Sequence, residues 1–288
     1  MQKDRTPLLP EDYIEPRCTL CEEPYGMVPE VKPVPQQRII EKMDEYMSRR
    51  DYAGAERHLL YWLTEAELGH DLRGQLMLRN ELAGHYRKTG NRDRAVQNAE
   101  EAIALVGRMD FGGTISAGTT YVNAATVYEA FGEKERAMEL FWKAQAVYEA
   151  VPGIKAELLG GLYNNMALNC VSRRDFRTAE ALYRKAMDCM ARVPGGVLEQ
   201  AITCLNMANA VEDEFGMEDG EKQITELLDR AETLLDSPEA PRNGYYAFVL
   251  EKCVPTFSYY GYFAAADTFT KRAEEIYREN QDRGNVQS

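Results

Sequence analysis

Apolar positions between residues 123 and 144 follow a helical period. Ala125 and Tyr128 lie three apart, on one face of a helix. Gly132 interrupts four residues later, and Ala137, Phe141 and Ala144 resume the face at i, i+4 and i+7. This spacing predicts helix, tight turn, helix, with small residues where the helices approach and large ones between them. Neither helix can bury its apolar stripe alone, so the unit needs neighbours.

The same unit recurs along the chain. Its first-helix small position falls at Met43, Ala83, Ala125, Ala167, Ala208 and Val254, with spacings of 40, 42, 42, 41 and 46 residues. The last spacing is long because four residues are inserted near Glu218–Glu221. Seven residues beyond most of these positions the turn begins, at Arg50, Gly90, Gly132, Arg174 and Gly261, with Gly216 one residue later in its own copy. Second-helix alanines follow at Ala55, Ala95, Ala137, Ala179 and Ala266, with Ile224 in the interrupted copy. Six copies in register predict an all-α repeat array.

The pattern resembles the tetratricopeptide repeat (TPR), whose small residue, tyrosine, turn glycine and A-x3-F positions are matched by Ala125, Tyr128, Gly132, Ala137 and Phe141. The resemblance covers roughly residues 37–280 and implies a right-handed α-solenoid of about six helix pairs. The period of about 42 exceeds the usual 34, so each helix gains about one turn. In this the chain is similar to kinesin light chains and bacterial peptide-pheromone receptors. Such a fold implies a scaffold for binding and no catalysis.

Residues 1–36 read differently. This stretch holds seven of the twelve prolines and no helical period, which predicts an extended arm. It has neither the apolar run nor the cleavage pattern of a signal peptide. Residues 281–288 read as a polar tail. Cys18 and Cys21 form a C-x-x-C pair in the arm. Two soft ligands are half of a closed zinc site, so the pair reads either as two reduced thiols or as a metal or redox site. Six dispersed cysteines fit a reducing, cytoplasmic setting rather than a disulfide framework.

The resemblance also assigns partner-facing positions on the first helices. In register these carry Asn123, Asn165 and Asn206, with Asn80 and Asn164 one position earlier and Asn209 three later than Asn206. Asparagine is a mediocre helix former, so its repetition implies a use. A carboxamide both donates and accepts and can pair with a peptide group in either sense. First helices about 8–10 Å apart would meet an extended strand, rising about 3.3 Å per residue, at every third residue. Kinesin light chains and the pheromone receptors use groove asparagines in this way. The alternative is that these amides bond to the next repeat and pin the packing. Arg87 and Glu129 are further groove positions.

A net charge of −13 disfavours phosphate backbones, so nucleic acid is excluded as a partner and a neutral or basic peptide or protein segment is favoured. No stretch reaches the length of about 18 apolar residues that a membrane helix needs. No phosphate-binding loop, dinucleotide fingerprint or H-E-x-x-H motif occurs, and no cofactor is expected. Nine aromatic residues cluster between Tyr245 and Phe269. They either pack within the last two repeats or form a homodimer contact.

Overall fold

The structure is a computed structural model and describes residues 30–49 and 51–286. The C-x-x-C pair and most of the expected arm lie outside the described residues. Twelve helices follow one another and no strand occurs among the described residues. They are α1 (Gln36–Ser48), α2 (Tyr52–Leu68), α3 (Leu72–Lys88), α4 (Arg92–Arg108), α5 (Ile115–Ala130), α6 (Lys134–Ala150), α7 (Ala156–Ser172), α8 (Phe176–Met190), α9 (Val197–Phe215), α10 (Met217–Asp236), α11 (Gly244–Tyr259) and α12 (Phe263–Val286). The six repeats read from the sequence are therefore six helix pairs of an all-α solenoid. Helix α12 continues past residue 280, into the stretch expected as a polar tail.

The chain divides into two compact units, Met1–Glu81 and Leu82–Ser288. In the first, Ile39 of α1 and Leu59 of α2 are fully buried. Residues 30–35, the end of the expected arm, are tied down at the α2–α3 turn. Lys32 donates its backbone N–H to the Gly69 carbonyl at 2.8 Å. Asp71 is buried, and its carboxylate accepts from the Val34 N–H at 2.9 Å and from the Gly74 N–H at 2.9 Å, so one side chain caps α3 and anchors the incoming strand of chain.

In the second unit each pair closes through the positions of the repeat. Ala125, Ala137 and Ala144 are fully buried where α5 meets α6, and Tyr128, Phe141 and Tyr148 fill the space between. Each such ring contributes about 1.5–3 kcal/mol by leaving water. Side-chain caps start α4 (Asn91), α5 (Thr114), α8 (Asp175) and α11 (Asn243). The turn positions explain the glycines: Gly90, Gly132, Gly216 and Gly261 all have φ between 76° and 84°, where a side chain would be strained. Arg174 occupies the same position at φ 61° without that freedom.

The four inserted residues become one more helical turn. Helices α4, α6, α8 and α12 begin three residues before their repeat-position alanine, whereas α10 begins at Met217, seven before Ile224. Helix α9 also runs seven residues past Ala208, against five past Ala125 for α5.

Candidate functional site

In the second unit the first helices of successive pairs touch one another: α5 meets α7, α7 meets α9 and α9 meets α11. They form a continuous layer, and the expected groove positions Asn123, Asn164, Asn165, Asn206 and Asn209 lie on its helices. Asn123, Asn164, Asn165 and Asn206 are half-buried and Asn209 is exposed. The same helices carry apolar side chains. Leu168 and Phe248 are exposed and Ile202 is half-buried.

The asparagines divide into groups. Asn206 donates its Nδ2 to Asn164 Oδ1 at 3.2 Å, and the Thr203 hydroxyl donates to the same oxygen at 3.3 Å. These bonds tie α9 to α7, one repeat apart. Asn209 Oδ1 lies 3.0 Å from the Tyr260 hydroxyl, whose one proton is shared with the nearer Glu212 carboxylate, and this contact ties α9 to the last repeat. The Asn165 side chain makes no hydrogen bond among the described residues, so its carboxamide donors and acceptor stay open. Asn123 accepts at its backbone carbonyl from the Thr126 hydroxyl at 2.8 Å. Asn80 belongs to the first unit and donates back to the Leu76 carbonyl of its own helix at 2.9 Å.

Glu129 serves the interior. Its carboxylate accepts from Asn169 Nδ2 and, at 3.1 Å, from the Ser172 hydroxyl, both on α7. Asn169 is fully buried and also donates to the Lys134 carbonyl at 2.9 Å. The sequence reading missed Asn169. Its signal is a polar residue on the core-facing side of α7, two beyond Ala167, where only a partner from the preceding repeat can satisfy it.

Arg87 and Lys88, both exposed at the end of α3, come within charge range of Lys252 on α11. The Lys252 ammonium is held below its ordinary value, first by burial and then by these two cations. It also sits 4.5 Å from the Phe248 ring centroid, a cation–π contact. These three positions are separated by more than 160 residues of sequence, and the fold gathers them on one unit.

The aromatic cluster is divided between core and surface: Tyr245, Phe248, Tyr259 and Phe263 are exposed and Tyr260 and Tyr262 half-buried. Tyr246, Phe257 and Phe269 are fully buried, with the Phe257 and Phe269 rings 5.4 Å apart. The Tyr259 and Tyr260 hydroxyls each donate to Glu212 at 2.7 Å, and Tyr262 donates to Asp229 at 2.7 Å. Burial, then the bond to Glu212, pushes the Tyr260 hydroxyl up. These contacts give the packing reading a physical basis. Burial likewise raises the Cys170 thiol to about 11 and Cys253 to about 12, so neither offers a thiolate nucleophile near neutral pH. No group of three or more metal-ligating side chains occurs among the described residues. No described helix is long and apolar enough to cross a membrane.

No family model and no curated protein sequence matches the chain. Solved structures do. A single-substitution form of a Podosopora anserina kinesin light chain candidate with nearly identical TPR-like repeats aligns at a TM-score of 0.50 and 16% identity, over 72% of this chain and 97% of that one. BtubC (BKLC) from P. vanneervenii aligns at a TM-score of 0.47 and 17% identity, over 87% of this chain and 93% of that one. The first of these, at 16% identity, speaks to fold alone, and it agrees with the register of small, aromatic and turn residues. The chain has the fold of a tetratricopeptide-repeat protein.

Proposed function

We propose that the second unit is a non-catalytic scaffold that binds an extended peptide or protein segment across α5, α7, α9 and α11. The observation that carries this reading is Asn165. It is half-buried in the layer, one repeat from Asn123 and one from Asn206, and its carboxamide has no partner among the described residues. An amide in that position can donate to a peptide carbonyl and accept from a peptide N–H. Leu168, Ile202 and Phe248 lie on the same layer of helices and supply apolar contact for ligand side chains. The Asn206–Asn164 bond holds the neighbouring amide in place, which lowers the ordering cost of binding. The exposed carboxylate of Glu251 on α11 favours neutral or basic ligand side chains.

The test begins with selection of binders from a displayed library of linear peptides. The affinity of the best peptide is then measured for wild type and Asn165→Ala. Loss of one or two hydrogen bonds worth about 0.5–1.5 kcal/mol each predicts roughly a tenfold weaker Kd with an unchanged melt. Equal affinities for wild type and the variant, with both folded, would remove Asn165 from the site.

A further inference from the structure

The extra turn in the fifth repeat builds a feature that the groove does not use. Helices α9 and α10 meet at Gly216, which has φ 83° and serves both as the end of one and the start of the other. The added turn of α10 lengthens this hairpin by about 5–6 Å relative to a helix lacking it. Gly220 keeps the extension closed: a Cβ there would lie 2.9 Å from Val211 Cγ1 on α9. The hairpin is thus tightly packed to its end.

That end is apolar and acidic together. Phe215 is 50% exposed and Met217 is 43% exposed. The neighbouring turn of the last repeat adds Tyr259 at 65% and Phe263 at 70%. Tyr259 is fixed beside the hairpin by its bond to Glu212, which brings the two turns side by side. Six carboxylates and no cation lie between residues 212 and 221. Isolated exposed apolar residues need no explanation, but four large ones on two turns joined by the Tyr259–Glu212 bond concentrate exposed apolar surface of the kind that marks an interaction site.

We propose that this tip docks a basic, amphipathic segment of a partner protein, whose apolar face covers Phe215, Met217 and Phe263 and whose lysines or arginines meet the surrounding carboxylates. Charge decides the occupant. A second copy of the chain would set six carboxylates against six, and like charges brought together at an interface oppose association. A cationic segment converts the same field into attraction and faster encounter. The site is separate from the amides of α5, α7 and α9, and the proposal does not depend on them.

The probe is a fluorescein-labelled 16-residue leucine–lysine peptide of amphipathic helical pattern, followed by fluorescence anisotropy with the full chain. Wild type should bind it, and an excess of the peptide selected for the groove should leave that Kd unchanged. The double variant Phe215→Ser/Phe263→Ser should bind at least tenfold more weakly, and its exposed positions leave the fold intact, which a circular-dichroism melt checks. Replacement of the peptide lysines by glutamate should abolish binding. Affinity of the double variant within twofold of wild type would overturn the proposal, as would displacement of the probe by the groove peptide. So would a wild-type dimer in sedimentation that the double variant disperses, because the tip would then be a self-interface.

Discussion

Replacing Glu129 by alanine separates a structural role from a ligand-binding one at a position that the repeat register places in the groove. The carboxylate accepts from Asn169 Nδ2 and from the Ser172 hydroxyl. Ser172 loses little, because its hydroxyl also reaches the Asn169 carbonyl at 2.9 Å. Asn169 loses more. It is fully buried, and its Oδ1 already lacks a partner. Removing the acceptor strands one N–H as well. A hydrogen bond to a charged group contributes about 1.5–3 kcal/mol, and Glu129 is only half-buried, so water can enter after truncation. We therefore take about 2–3 kcal/mol. For a unit the size of Leu82–Ser288 each kcal/mol moves the midpoint by about 2–4 °C, giving a fall of about 4–12 °C. Glu129→Gln keeps an acceptor oxygen and should lose about half as much. The assay is a thermal melt followed by circular dichroism at pH 7, with urea unfolding as a check that the slope is unchanged. Midpoints of both variants within about 1 °C of wild type would refute the reasoning.

Three further outcomes follow from single positions. Tyr183→Phe should raise stability by about 1 kcal/mol, because the Tyr183 hydroxyl is buried without a partner and the repeat elsewhere carries Phe141 there; a lower urea midpoint would contradict this. Arg174→Gly should also stabilise, by about 1 kcal/mol from relief of φ 61°, less the cation–π contact with Phe176 at 5.3 Å; a clear loss in the melt would show that the ring contact outweighs the backbone. Burial, then Asp44, holds the Glu81 carboxyl above its ordinary 4.5. A raised carboxyl binds its proton more readily folded than unfolded, so its penalty is present at neutral pH and disappears as pH falls through the raised value toward 4.5. Glu81→Gln should therefore be more stable than wild type at pH 7 and equal to it near pH 4, and a difference that grows on acidification would have the wrong sign.

Much of the fold is legible in the sequence because repetition turns a weak local signal into a strong one. The small-residue register locates six helix pairs, and the residues inserted near Glu218–Glu221 appear as the added turn of α10. The turn glycines are legible for a steric reason, since only glycine accepts φ near 80° without strain. The site is legible by face and not by partner. Helical periodicity says that Asn164, Asn165 and Asn206 share a surface, but rotamers decide that Asn206 bonds Asn164 while Asn165 stays open. Glu129 illustrates the same limit: its neighbour Asn169 lies 40 residues on, in the next repeat, and only packing brings them together. The Arg87, Lys88 and Lys252 grouping depends on how successive repeats stack, which no local pattern encodes.

The central claim is that the first-helix layer reads a peptide main chain at repeat spacing. A scan in which each amide of the selected peptide is N-methylated in turn, with calorimetric affinities for the wild-type chain, tests it most directly. Methylation removes a donor without altering the side chain. The account predicts losses of roughly tenfold that recur at every third residue, and disappearance of the loss at one of these positions alone, the amide facing residue 165, when Asn165→Ala is the host. Uniform tolerance of methylation along the peptide, or losses without that period, would contradict it.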